Sequence, residues 1–159
     1  MNTKTRTISQ AELDAQLAYL DKISALWSAR EITPTAYVET YGCQQNEADS
    51  EKLRAMARDM GYILTDDSAK ADLIVVNTCA IREHAELKAL STVGNFKQLK
   101  AKKPELIVGV CGCMAAEPAV AEKLKQDFHY VSFTLEPNML HRIPELVARK
   151  LTEGKRSFV

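Results

Sequence analysis

The chain has 159 residues, of which 46% are hydrophobic and 26% charged, and its 21 basic residues balance its 21 acidic ones. This composition excludes a disordered chain, a small disulfide scaffold and, because no apolar run reaches the roughly 18–20 residues that span a bilayer, a membrane protein. The N-terminal residues lack the apolar stretch of a secretory signal, so we expect a cytoplasmic protein with reduced thiols, and the zero net charge argues against strong nucleic-acid binding by this chain alone.

An N-terminal segment, residues 1–34, is predicted to form one amphipathic helix and a short linker. Ser9 and Glu12 have the spacing of a capping box, and Thr33-Pro34 ends the helix. Apolar residues recur between them at steps of three and four, namely Leu13, Leu17, Leu20, Ile23 and Trp27. This stripe would pack either on the domain that follows or on another partner, and the pattern leaves both open.

From residue 35 onward, short strands alternate with helices. The predicted strands are 35–41, 62–64, 72–78, 105–111 and 129–133, and the predicted helices are 46–60, 83–102, 117–127 and 138–151. Asn46 is a candidate N-cap of the first of these helices, Gly61 follows its end, and Pro144 is a point where the last helix would bend or restart. Residues 152–159 are polar and are predicted to begin a linker.

This alternation predicts an α/β domain over residues 35–151. Strands that alternate with helices form a parallel sheet with helices on both faces. Five strands within residues 35–151 favour a mostly parallel, flavodoxin-like, three-layer arrangement with strand order 2-1-3-4-5. The N-terminal helix is added to this arrangement.

Three of the four cysteines follow predicted strands. Cys43 follows the first strand, Cys79 the third and Cys113 the fourth, and these strands are neighbours in the predicted order. Their thiols would therefore lie at one carboxyl edge, beside helix N-termini that favour thiolates. Cys111 lies inside a strand, where we expect it to pack as a small core residue.

Three thiolates suit a soft metal or an iron–sulfur cluster. A structural site normally has four protein ligands, so three would leave one position open for a small ligand. His84 is a fourth candidate by position, although a surface role on the first helical turn is more common there. Asn46, Asn77 and Arg82 could donate hydrogen bonds around the cofactor, and ordinary turn chemistry accounts for them equally well.

Three segments of the sequence resemble one known family. GCQQNEADSE (42–51), DLIVVNTCAIREHAELK (72–88) and GVCGCMA (109–115) are similar to the N-terminal domain of the methylthiotransferases of the radical S-adenosylmethionine superfamily. The resemblance covers residues 35–151. The stretch NTCAIREHAE is most similar to the branch that modifies transfer RNA.

The resemblance implies that Cys43, Cys79 and Cys113 hold an auxiliary [4Fe-4S] cluster with one open iron. It implies that this cluster supplies or carries the sulfur of a methylthio group added to carbon 2 of N6-isopentenyladenosine next to the anticodon. In the family, a central domain holds a second [4Fe-4S] cluster through a CxxxCxxC motif and cleaves S-adenosylmethionine, and a TRAM domain helps to bind tRNA. No cysteine follows Cys113, so we expect this chain alone to be inactive and to bind RNA weakly.

Departures from the family pattern leave alternatives open. Gln45, MAAEP (114–118) and FTLEPN (133–138) differ from the usual residues, so the substrate could instead be that of the threonylcarbamoyladenosine or ribosomal-protein branch. A flavodoxin-like module with a zinc or anion site is a different class of function, and a thiol-redox protein is a third. The basic segment KQLKAKK (97–103) would contribute to RNA binding at most, and a solvated helix end explains it more simply.

Overall fold

A computed structural model of the chain describes residues 8–40, 44–78 and 83–158, with the backbone alone for 44–46 and 83–89. The helices are α1 (Gln10–Ala29), α2 (Gln44–Asp59), α3 (Glu83–Lys102), α4 (Pro118–Asp127) and α5 (Ile143–Glu153). The strands are β1 (Thr35–Thr40), β2 (Ile63–Leu64), β3 (Leu73–Thr78), β4 (Ile107–Gly112), β5 (Phe133–Leu135) and β6 (Ser157–Phe158). No helix in these ranges has the length and apolar character needed to cross a membrane.

The strands form one sheet in the order β2-β1-β3-β4-β5-β6, and every pair of neighbours is parallel. Helices α1, α2 and α5 pack on one face and α3 and α4 on the other, so the sheet is covered on both sides. The predicted α/β class, the layer arrangement and the order of the first five strands are confirmed. The prediction of five strands is one short, because β6 is added at the edge beside β5.

The two central strands carry the core because all residues of β3 and β4 are buried. Successive side chains of a strand point to opposite faces. Ile74 and Val108 therefore pack beneath α3 and α4, while Leu73 and Ile107 pack beneath the other layer. This two-sided burial explains why these strands read as continuous apolar runs in the sequence.

Helix α1 packs on the domain through its C-terminal half. Ile23 and Trp27 are buried in the core, and Trp27 Nε1 donates to the hydroxyl of Tyr62 at 3.1 Å. Leu13 and Leu17 stay 42% and 58% exposed. The structure therefore answers the question that the apolar stripe left open, since the second half of the stripe faces this domain.

Polar contacts fix the direction of α1 along the sheet. Near its start, Glu12 Oε2 lies 3.3 Å from His141 Nε2, in the segment that follows β5. Near its end, Arg30 Nη1 lies 3.7 Å from Glu105 Oε2, just before β4 begins. Helix α1 therefore runs from the carboxyl edge of the strands to their amino edge. The predicted cap is confirmed as well, because Ser9 Oγ accepts from the backbone N–H of Glu12 at 3.2 Å.

Three predicted boundaries are corrected. Strand β5 begins at Phe133 instead of residue 129, because a turn that joins Val131 N–H to the carbonyl of Phe128 follows α4 and delays pairing with β4. Helix α2 begins at Gln44, so Asn46 lies inside its first turn and is not the N-cap. The last predicted helix is divided into a 3-10 segment, Pro137–Arg142, and α5, which restarts with Pro144 in its first turn as expected.

The segment predicted as a linker contains β6 and a structural arginine. Arg156 donates from its guanidinium to the carbonyls of Val131 at 2.8 Å, Lys125 at 3.0 Å and Phe128 at 2.9 Å, and to that of Leu124 at 3.3 Å. These carbonyls belong to the C-terminal end of α4 and the turn after it, where the backbone acceptors of a helix begin to lack helical partners. Arg156 therefore fastens β6 to the end of α4.

We predict that Arg156→Ala lowers the free energy of unfolding by about 1.5–3 kcal/mol, the usual contribution of hydrogen bonds to a charged group. Urea unfolding followed by circular dichroism measures this change. Arg149→Ala is the matched control because its guanidinium is 44% exposed and forms an ion pair with Glu145 at 2.8 Å on the surface of α5. That variant should lose less than about 1 kcal/mol. Equal losses in the two variants would contradict the role given to Arg156.

Candidate functional site

Three neighbouring strands end side by side at the carboxyl edge of the sheet. Thr40 of β1 is paired with Asn77 of β3, and Thr78 of β3 is paired with Gly112 of β4. In the sequence, Cys43 comes three residues after Thr40, Cys79 directly after Thr78 and Cys113 directly after Gly112. The predicted adjacency of the strands that lead to the cysteines is confirmed. Cys43 and Cys79 lie outside the described residues, so a common site for the three thiols stays a prediction.

Cys111 and Cys113 have opposite environments although they are two residues apart. Cys113 is exposed, and its carbonyl accepts from the N–H of Ala116 at 3.2 Å in the 3-10 turn Met114–Ala116. Cys111 is 0% exposed and belongs to the core, as predicted. Burial, with a smaller effect of the Asp49 charge, raises the pKa of the Cys111 thiol far above its ordinary value. Cys111 therefore stays protonated, and Cys113 is the thiol that β4 presents at the edge.

Gly112 allows β3 and β4 to approach closely where they end. Its φ is +96°, and a Cβ at this position would lie 2.2 Å from the carbonyl oxygen of Thr78 and 2.8 Å from Asn77 Oδ1. Only glycine avoids both the strained backbone conformation and this overlap. Beside it, Thr78 Oγ1 donates to the carbonyl of Cys111 at 2.7 Å. The position from which Cys113 leaves the sheet is thus fixed relative to the end of β3.

A buried hydroxyl connects β1, β3 and α2 at the same edge. Ser50 Oγ lies 2.5 Å from Thr40 Oγ1 and accepts from Asn77 Nδ2 at 3.1 Å. The sequence interpretation missed Ser50 because serine is ordinary on a helix surface. A usable signal was present, since Ser50 precedes Leu53 and Ala57 at the three- and four-residue steps of the buried face of α2.

The structure describes the predicted polar neighbours of the cofactor to different extents. Asn77 is buried, and one of its amide hydrogens is used by Ser50. Only the backbone of Asn46 is described, and Arg82 lies outside the described residues. Their proposed contacts with a cofactor stay predictions. Within the part of the chain that the structure describes, no three His, Cys, Asp or Glu side chains are grouped as metal ligands.

The basic segment at the end of α3 lies at the opposite edge of the sheet. Lys103 Nζ contacts Asp72 Oδ1 at 2.9 Å, directly before β3 begins, and Lys100 donates to the carbonyl of Leu106 before β4. Burial, and next the charge of Lys150, lower the pKa of Lys100 to about 8. These lysines hold the amino ends of the strands, away from the edge where the cysteine-bearing strands end.

Comparison with known proteins gives one matching family model and many similar sequences. Residues 35–136 match the model described as uncharacterized protein family UPF0004. The chain is 47% identical over 121 residues to a tRNA-2-methylthio-N(6)-dimethylallyladenosine synthase of Caldicellulosiruptor saccharolyticus, covering 76% of this chain and 26% of that protein. It is 46% identical over 122 residues to the synthase of Halalkalibacterium halodurans, covering 77% of this chain and 22% of that one.

A third match covers a larger share of the chain. The synthase of the same description from Acetivibrio thermocellus is 39% identical over 144 residues, which are 88% of this chain and 30% of that protein. The chain therefore spans about a quarter of the length of the curated relatives it matches.

We predict that Gly112→Ala lowers the free energy of unfolding by about 2–5 kcal/mol, because left-handed strain adds to the overlap with Thr78. Gly94→Ala is the control, since a Cβ at this position in α3 meets nothing within 4 Å. It should stabilise the chain by about 0.5–1 kcal/mol through its higher helix propensity. Chemical unfolding of both variants measures the two changes, and a Gly112→Ala variant as stable as the wild type would refute the close approach.

Proposed function

Because this chain belongs to the UPF0004 family, we propose that it is the N-terminal, cluster-binding part of a tRNA methylthiotransferase. One observation carries the proposal: three adjacent parallel strands end together, and each leads into a cysteine within three residues. Open α/β sheets bind their ligands at this carboxyl edge, at the point where the connections from neighbouring strands go to opposite faces of the sheet. Here α2 follows β1 on one face and α3 follows β3 on the other. The names of the similar proteins support the reaction class.

The proposed ligands are Cys43, Cys79 and Cys113. Soft thiolates are the usual ligands of iron–sulfur clusters, and Cys113 is exposed at the right edge to serve as one. Cys111 is excluded because burial keeps its thiol protonated inside the core. A bound [4Fe-4S] cluster with three protein ligands supplies sulfur and leaves one iron open. Asn46, Asn77 and Arg82 remain the proposed hydrogen-bond donors around it.

We place the remaining chemistry outside this chain. The relatives are named for 2-methylthio-N(6)-dimethylallyladenosine, so the proposed substrate is a tRNA adenosine that carries this N6-alkyl group and gains the methylthio group at carbon 2. In the family, S-adenosylmethionine cleavage uses a second [4Fe-4S] cluster held by a CxxxCxxC motif, and a TRAM domain helps to bind tRNA. No cysteine follows Cys113 in this sequence, so the chain alone should be inactive. The other substrate branches remain alternatives.

A flavodoxin-like module with a structural zinc site or an anion site, and no catalytic role, is the second candidate; zinc is argued here because cysteine thiolates are also ligands of zinc. The two candidates differ in the metal and not in the ligands. Metal analysis of chain purified without oxygen distinguishes them, since iron and acid-labile sulfide in equal amounts indicate a cluster. Zinc bound in preference to iron under the same conditions would favour the binding module.

We predict that anaerobic reconstitution with iron and sulfide yields about four irons per chain and a cubane cluster. The variant with Cys43, Cys79 and Cys113 all changed to alanine should retain no cluster, because its thiolate ligands are gone. Cys111→Ala is the matched control and should bind the same amount of iron as the wild type. Iron content and electron paramagnetic resonance after reduction measure both results.

Retention of the same cluster by the triple variant would refute the proposed ligand set. Loss of the cluster in Cys111→Ala, in a chain that still unfolds cooperatively, would show that the wrong thiols were chosen. The circular dichroism spectrum of each apo variant separates loss of ligands from loss of folding.

We predict that the isolated chain binds tRNA only at the level of non-specific association, with a Kd of about 1–100 µM at physiological salt. The reasons are the zero net charge and the position of KQLKAKK at the amino edge. Changing both Lys97 and Lys102 to glutamine should leave this affinity within about twofold, as expected when little phosphate contact is lost. Filter binding at several salt concentrations tests this, and nanomolar binding that these changes abolish would contradict it.

A further inference from the structure

We propose that Ser50 is a positioning residue that holds α2, which begins directly after Cys43, against the strand ends leading to Cys43 and Cys79, and thereby sets the stability of the cluster bound there. The inference rests on the proposed function for the identity of the ligands. It gives a role to a residue that lies within the segment GCQQNEADSE (42–51) and to which the sequence analysis assigned none.

The contacts of Ser50 join α2 to both β1 and β3 through a single oxygen. Its Oγ lies 2.5 Å from Thr40 Oγ1 at the end of β1 and 3.1 Å from Asn77 Nδ2 at the end of β3. Ser50 is 0% exposed, so water does not compete for these hydrogen bonds. Because hydrogen bonds are directional, this hydroxyl restrains β1, β3 and α2 relative to one another.

The positions of these residues along the chain give the contact its consequence. Thr40 precedes Cys43 by three residues, and Ser50 follows Cys43 by seven. Their contact therefore holds both sides of the segment that carries Cys43. Asn77 precedes Cys79 by two residues, so the same oxygen ties that segment to the approach to the second thiol.

Strand β4, which leads to Cys113, is held by a separate contact. Thr78 Oγ1 donates to the carbonyl of Cys111 and fixes β4 against β3 without involving Ser50. Removal of the Ser50 hydroxyl should consequently loosen the Cys43 side of the site while the relation between the ends of β3 and β4 is kept. A cluster with unequally held ligands should lose iron faster, since groups that orient metal ligands change metal affinity by about 10–100-fold.

The chain offers a matched control near the amino ends of the strands. Ser132 is 2% exposed, and its Oγ accepts from the backbone N–H of Val108 at 3.3 Å near the amino end of β4. Ser132→Ala removes a buried hydroxyl just as Ser50→Ala does. It lies away from the ends of β1 and β3, so it reports the cost of losing a buried hydroxyl alone.

The experiment compares wild type, Ser50→Ala and Ser132→Ala after anaerobic reconstitution. The readouts are the rate of iron release to a chelator, the electron paramagnetic resonance spectrum of the reduced cluster and the melting temperature of each apo chain. We expect both variants to melt at lower temperature than the wild type. Only Ser50→Ala should release iron about 10-fold faster or more and show an altered spectrum.

An isosteric pair covers the case in which Ser50→Ala does not fold. Ser50→Thr and Ser50→Val add the same bulk and differ only in the hydroxyl, so iron should be released more slowly from the threonine variant. Equal release from this pair, or from Ser50→Ala and Ser132→Ala, overturns the positioning role and leaves Ser50 a structural residue. A wild-type chain that assembles no cluster overturns the proposed function itself, and the inference with it.

Discussion

The close approach of β3 and β4 at their carboxyl ends is the constraint on which the proposed site depends. Gly112 takes a left-handed conformation against the backbone of Thr78, and any side chain there would overlap that carbonyl. Because Thr78 and Gly112 are paired, β3 and β4 end beside each other at the carboxyl edge of the sheet. The segments that lead to Cys79 and Cys113 therefore leave neighbouring strand ends, so a packing requirement in the sheet becomes a requirement of the proposed metal site.

Much of this arrangement could be predicted because it depends on local patterns. The apolar runs that became β3 and β4, the helix stops and the cap at Ser9 are properties of neighbouring residues, and the parallel order follows from the alternation of strands and helices. The placement of Cys113 at the edge and Cys111 in the core also follows, since Cys111 lies inside a buried apolar strand and Cys113 comes after the strand has ended at Gly112.

The rest depends on contacts between residues distant in sequence. Ser50 has its role because β1 and β3 bring Thr40 and Asn77 to it, which no local pattern of α2 reveals. Arg156 turns a polar segment into part of the sheet by reaching carbonyls of α4, some thirty residues away in the sequence. The sequence around such residues does not show which distant groups they contact, so their roles can be assigned only when the tertiary structure is known.

The direction of the outermost elements has a practical consequence for anyone who labels this protein. Ile8, just before α1, lies beside Pro137 at the carboxyl edge, and the parallel strand β6 carries the chain toward that same edge at Phe158. An affinity tag or fluorophore joined before Ile8 or after Phe158 would therefore start on the side of the sheet where the proposed ligands lie. The exposed turn at Pro104 and Glu105 lies at the far edge, where a probe could be attached away from the proposed metal site.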